Sequence, residues 1–98
     1  MTAYVIADIT ITNAEGYATY RPLAVESVAR HGGRFVARGG AIEALEGGWT
    51  PSRVVILEFP SMEAARKWYD SPDYQAALKV RLANSTGRVI MVDGAPPA

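Results

Sequence analysis

Apolar and polar positions alternate in four short stretches and repeat at helical spacing in two longer ones. Residues 3–11 (AYVIADITI) are rich in Val, Ile and Tyr, lack any breaker, and read as a strand. Thr12-Asn13-Ala14-Glu15 follows with the hydroxyl-to-carboxylate spacing of a capping box, so a helix is expected to begin there. Tyr17, Tyr20, Ala24, Val28 and His31 fall on one face of that helix, and Pro22 inside it predicts a kink or restart. Gly32-Gly33 ends it. A second strand is expected over 34–40 (RFVARGG) and a connection over 41–52. A third strand over 53–59 (RVVILEF) is stopped by Pro60. Ser61 caps a helix over 62–69, in which Glu63 and Lys67 form an i,i+4 pair, and Ser71-Pro72-Asp73 opens another. Tyr74, Ala77, Leu78 and Leu82 give that last helix its apolar face. Gly87 is expected to end it, with a final strand over 88–93 (RVIMVD) and a frayed tail over 93–98. With right-handed crossovers this βαββαβ order gives a ferredoxin-like plait, an α+β fold in which both helical segments cover one face of a four-stranded antiparallel sheet.

Strand parity then asks what the uncovered face meets. The wholly apolar sets, Val5-Ala7-Ile9-Ile11, Phe35-Ala37, Val55-Leu57-Phe59 and Ile90-Val92, suit the helix side. The remainder is mixed: Tyr4, Ile6, Val36, Val54, Ile56, Val89 and Met91, with Asp8, Arg38 and Glu58 among them. Such a face is too apolar to be left to water. The expected partner is the same face of a second copy, a two-fold homodimer whose shared barrel interior would be lined by Asp8, Arg38 and Glu58.

Composition narrows the chemistry. Ninety-eight residues make one domain, 1–98, and 10 Lys+Arg against 10 Asp+Glu leave no net charge with His neutral. That balance argues against nucleic acid as a partner. No apolar run approaches membrane-helix length and the N-terminus lacks a signal-peptide pattern, so a cytoplasmic protein is expected. Without cysteine and with one histidine, thiol nucleophiles and His/Cys metal sites are excluded. No cofactor and no metal are expected.

Several of these residues together resemble a known family. Tyr17 and Tyr20, Gly32-Gly33-Arg34-Phe35, Arg38-Gly39-Gly40, Glu46-Gly47 with Trp49, Pro51 and Arg53, Glu58-Phe59-Pro60, Ala65, Trp68-Tyr69, Ser71-Pro72, Tyr74-Gln75 and Arg81 are similar to the pattern of the domain-of-unknown-function 1330 family. The resemblance covers about residues 3 to 94, and its specificity lies in the combination. It implies a small bacterial protein, a dimeric α+β barrel, and no established reaction. The wider barrel superfamily includes cofactor-free monooxygenases, isomerases and heme-degrading enzymes as well as ligand-binding regulators, so fold alone does not choose a chemistry.

The candidate functional residues follow from the mixed face. Asp8 and Glu58 are candidates for acid–base work and Arg38 for anchoring an anionic substrate; the alternative is an ion network that neutralises buried charge across the dimer. Tyr4, Tyr20, Tyr74 and Arg81 join them as ligand-binding candidates, with Arg81 either buttressing the dimer or reaching the cavity. His31 sits where a helix dipole favours a cation, which gives it a structural reason. The functional expectation is a homodimer that binds a small organic molecule in the barrel, with or without cofactor-free chemistry. The alternative is a non-enzymatic binding or stress-response accessory dimer.

Overall fold

The computed structural model describes residues 1–96, and the last two positions of the expected tail, Pro97 and Ala98, lie outside them. Seven elements follow in order: β1 (Ala3–Ile11), α1 (Ala14–Arg30), β2 (Arg34–Arg38), β3 (Val54–Phe59), α2 (Met62–Asp70), α3 (Pro72–Asn84) and β4 (Ser85–Asp93). The strands form one antiparallel sheet in the order β2-β3-β1-β4, the arrangement expected of the plait.

Local chemistry explains the boundaries. Asn13, not Thr12, caps α1, its side chain accepting a hydrogen bond from the Gly16 N–H at 3.3 Å. α1 runs through Pro22 without a break. Pro22 and Ala18 are both exposed, so the carbonyl that Pro22 leaves without a donor meets water. Ser61 and Ser71 cap α2 and α3 as expected, accepting from the N–H groups of Ala64 and Tyr74. Gly87 does not end α3. It lies within β4, where a Cβ would come 2.6 Å from the Asp8 backbone oxygen, so the glycine permits close approach of β4 to β1. Asp93 and Gly94 are also ordered into the structure: Asp93 pairs with Ala3, and the Gly94 N–H donates to the Thr2 carbonyl at 2.7 Å.

Register corrects the parity expectation in two strands. In β4, Met91 pairs with Val5 and Val89 with Ala7, so Val89 and Met91 pack on the helix side while Ile90 (60 % exposed) and Val92 (43 %) occupy the open face. Both alternations of Val89-Ile90-Met91-Val92 are apolar, so the pattern alone does not distinguish them. In β2, a bulge between Phe35 and Ala37 shifts the register: Phe35 pairs with Leu57, Ala37 with Ile56, and Arg38 with Val55. The extra residue turns Arg38 to the helix side, opposite to the face expected for it.

The core lies between sheet and helices, where Val5, Leu57 and Phe59 meet Val28, Ala65, Trp68, Tyr74, Ala77 and Leu78. Trp68 stacks near Phe59, and its indole N–H donates to the buried Ser27 hydroxyl at 3.0 Å, so the largest core side chain has its polar atom satisfied. Among the described residues no helix is long and apolar enough to cross a membrane, and no cluster of His, Cys, Asp or Glu could hold a metal ion.

Candidate functional site: an arginine-lined cavity between helices and sheet

Four structural termini meet at one end of the sheet: the end of β2, the residue before β3, the first turns of α1 and the last turn of α3. Between the helices and the sheet at that end lies a cavity of about 460 Å³, within the range of roughly 300–1,000 Å³ typical of small-ligand sites. Core side chains such as Val5, Ala7, Val28 and Leu57 give it an apolar floor. Its polar lining has one sign. Arg21, Arg38, Arg53 and Arg81 contribute, with Tyr17, Tyr20 and Tyr74, and no aspartate or glutamate lines it.

The arginines enter from both layers. Arg81 comes from α3 and is buried at 7 % exposure, yet it takes part in no side-chain ion pair among the described residues. Arg53 precedes β3, and its Nε is buried without a hydrogen-bond partner. Its guanidinium passes over Gly39, where φ is +68° and where a Cβ would collide with it. Glycine therefore serves twice at this position, for the left-handed turn and for the room. Arg38 lies over the Phe35 ring with its guanidinium carbon 4.7 Å from the centroid, and Arg21 lies over Tyr17 at 5.5 Å. Both thus hold a defined place through cation–π contact while leaving their N–H groups free.

Tyrosines line the cavity beside Arg81. The hydroxyls of Tyr20 and Tyr74 are 2.9 Å apart, one donating to the other. Burial pushes the Tyr20 hydroxyl well above the ordinary tyrosine value of 10.0, the neighbouring Tyr74 adds to this, and the charge of Arg81 opposes it in part. The phenol is therefore a neutral donor at any physiological pH. Since one O–H of the pair is used between the two tyrosines, the other is left to donate into the cavity. The arrangement offers N–H and O–H donors on an apolar floor, with no carboxylate to compete, and that is the chemistry of anion recognition.

The sequence candidates thus divide. Tyr20, Tyr74, Arg81 and Arg38 come together in the cavity, whereas Tyr4, Asp8 and Glu58 belong to the open face. Glu58 pairs with Arg34, and Asp8 lies 3.6 Å from Arg88 while accepting from the Ser52 N–H at 3.2 Å. Asp8 and the Tyr4 partner of Glu58 are separated along β1 by roughly 13 Å at about 3.3 Å per residue, so the two carboxylates do not form an acid–base pair. Asp8, Arg38 and Glu58 do not share a face. His31 donates its Nδ1–H to the Ser27 carbonyl at 2.8 Å, capping α1 away from the cavity. Tyr17, Arg21 and Arg53 line the cavity without being among the sequence candidates. Arg53 was within reach of parity, because it shares the alternation of Val55 and Leu57.

Comparison with known proteins places the chain. A protein of unknown function from Rhodopseudomonas palustris superposes with a TM-score of 0.78 at 25 % identity, over 98 % of this chain and 84 % of that one. A dimeric ferredoxin-like protein of unknown function from Thermobifida fusca superposes with a TM-score of 0.63 at 16 % identity, covering 95 % and 91 %. SnoaB, a cofactor-independent oxygenase from Streptomyces nogalater, does so with a TM-score of 0.62 at 15 % identity, covering 98 % and 94 %. The more distant of these establish the ferredoxin-like fold and nothing finer. No curated protein matches the sequence. The profile of DUF1330, a domain of unknown function, matches residues 2–95, nearly the whole chain, and the chain therefore belongs to that family.

Proposed function

We propose that this protein is a homodimer in which each protomer holds a small organic anion in the cavity between its helices and its sheet. The observation that carries the reading is the unbalanced charge of the cavity wall: among the described residues it holds four arginines and no carboxylate, and the buried Arg81 has no counter-ion. A buried charge without a partner costs several kcal/mol, and such groups persist where a ligand supplies the missing charge. The dimer rests on a separate feature. Tyr4, Ile6, Ile56, Ile90 and Val92 lie on the open sheet face with no element of the chain above them, and the Thermobifida neighbour is itself described as dimeric. Pairing two such faces gives the half-closed barrel that the fold favours.

The geometry supports binding more directly than turnover, and it assigns no acid–base role to Asp8 or Glu58. If the ligand is transformed without a cofactor, the neutral phenol pair Tyr20–Tyr74 is the proton donor at hand. Melting curves in low salt test the reading. Benzoate should raise the melting temperature and benzamide, its neutral counterpart, should not, since a ligand at about 100 times its Kd stabilises by about 2.7 kcal/mol. Equal effects of the two would remove the anion reading, and a monomer in analytical ultracentrifugation would remove the dimer.

A further inference from the structure

Two of the cavity guanidinium groups that form no ion pair among the described residues, those of Arg81 and Arg53, stand on opposite walls. Arg81 belongs to the helix layer, where the Tyr20–Tyr74 hydroxyl pair adds a free O–H donor beside it. Arg53 belongs to the sheet layer at the end of the cavity where β2 finishes and β3 begins, with Arg38 brought near it by the β2–β3 pairing, opposite Val55. Arg81 is the more buried of the two and has the phenol donor beside it, so its set takes a single carboxylate first. A guanidinium offers two parallel N–H donors to a carboxylate, and a second donor alongside fixes its orientation. The Gly39–Arg53 fit shows that the second set is built into the backbone: the turn leaves space for this guanidinium and for no Cβ. Val5, Ala7 and Leu57 line the same cavity as both sets, which favours a ligand that also carries an apolar portion.

We infer that the cavity takes a dicarboxylate with an apolar or aromatic centre, one carboxylate on Arg81 and the tyrosine pair, the other on Arg53 and Arg38. This rests on the reading of the cavity as an anion site and adds to it the number and placement of the charges. A monoanion satisfies only one of the two sets and leaves the other guanidinium without a counter-charge.

Titration calorimetry of the purified protein with benzoate, terephthalate, suberate and benzamide tests this. Terephthalate or suberate is expected to bind at least about tenfold more tightly than benzoate, as one additional charged hydrogen-bonded contact provides. Arg53→Met should bring the better dicarboxylate down to about the affinity of benzoate and cost benzoate far less, and Arg81→Met should weaken both. Should Arg81→Met fail to fold, Arg81→Lys keeps the charge but loses the planar fork, and the same weakening is expected of it. Dicarboxylates binding no better than benzoate, or both arginine variants weakening benzoate alike, would overturn the two-headed ligand and leave the anion cavity standing. Benzamide binding as well as benzoate, or no binding by any of the acids, would overturn the anion cavity too.

Discussion

On the open face of the sheet every charged side chain has company: Glu58 meets Arg34, and Asp8 meets Arg88 and the Ser52 amide. On the helix face Arg81 forms no ion pair among the described residues and Arg53 keeps a buried N–H without an acceptor. The two faces share strands only one residue apart in parity, yet one balances its charges internally and the other leaves them open. A face with its charges settled and its centre apolar is suited to meet a copy of itself. A face with unsettled charge of one sign is suited to a ligand that brings the other sign. Under the proposed function, the difference separates the assembly face from the binding face.

The comparison is open to breaking, and the largest effect is expected on the open face. Ile56→Asp puts a carboxylate beside Ile6 at the centre of that face, and burying an unpaired charge there costs several kcal/mol. The dimer dissociation constant should rise by about a hundredfold or more in sedimentation experiments, with the protomer fold intact by circular dichroism. A dimer of unchanged strength would mean that assembly uses another surface.

Next in size is Arg81→Met. It should abolish the stabilisation by carboxylates, about 2.7 kcal/mol at saturating ligand. In the same protein without ligand it should raise stability by about 1 kcal/mol, because a desolvated and unpaired cation is removed, which amounts to about 4–8 °C in melting temperature for a domain of this size. Loss of stability in the ligand-free variant would show that Arg81 holds the fold and not a ligand.

Tyr20→Phe removes the hydrogen bond to Tyr74 and should cost about 1 kcal/mol near neutral pH. Its signature is in alkali. Folded Tyr20 holds its proton more tightly than the unfolded chain, so its contribution is complete below pH 10 and is lost as the pH climbs beyond it. Wild-type melting temperature should therefore fall above pH 10, and the Phe variant should fall less steeply. Parallel curves would place the phenol in water.

The smallest effect is expected from Glu58→Gln. Arg34 is mostly exposed, and such pairs contribute about 1 kcal/mol or less. Carboxylate binding should be unchanged in calorimetry. A clear loss of binding would bring the open face back into the ligand site.

Much of the fold was legible in the sequence because punctuation there is local. Ser61, Ser71, Pro60 and Pro72 act within one turn of the chain, and each marks the boundary it was expected to mark. The site was legible only in part. Tyr20, Tyr74 and Arg81 belong to helices whose apolar spacing turns them inward, and they meet in the cavity. The grouping of Asp8, Arg38 and Glu58 failed because it depends on long-range register. A bulge adds one residue to β2 without a mark in the composition, and the uniform apolarity of Val89-Ile90-Met91-Val92 makes its two faces indistinguishable to a pattern. Pro22 brings no restart of the helix for another reason: solvent, which the sequence does not display, is open to the carbonyl it orphans.

The bulge in β2 has a bearing on how such a protein changes over generations. Deleting one residue between Phe35 and Ala37 would restore regular pairing and leave Arg38 opposite Val55, still on the helix side, whereas regular pairing with every residue kept would carry it through the sheet to the open face. The bulge, not the length of the strand, thus decides which side of the sheet this cation serves. Relatives that lack the bulge at unchanged length should differ from this chain in ligand, in assembly, or in both, whereas relatives one residue shorter there should keep the arginine in the cavity.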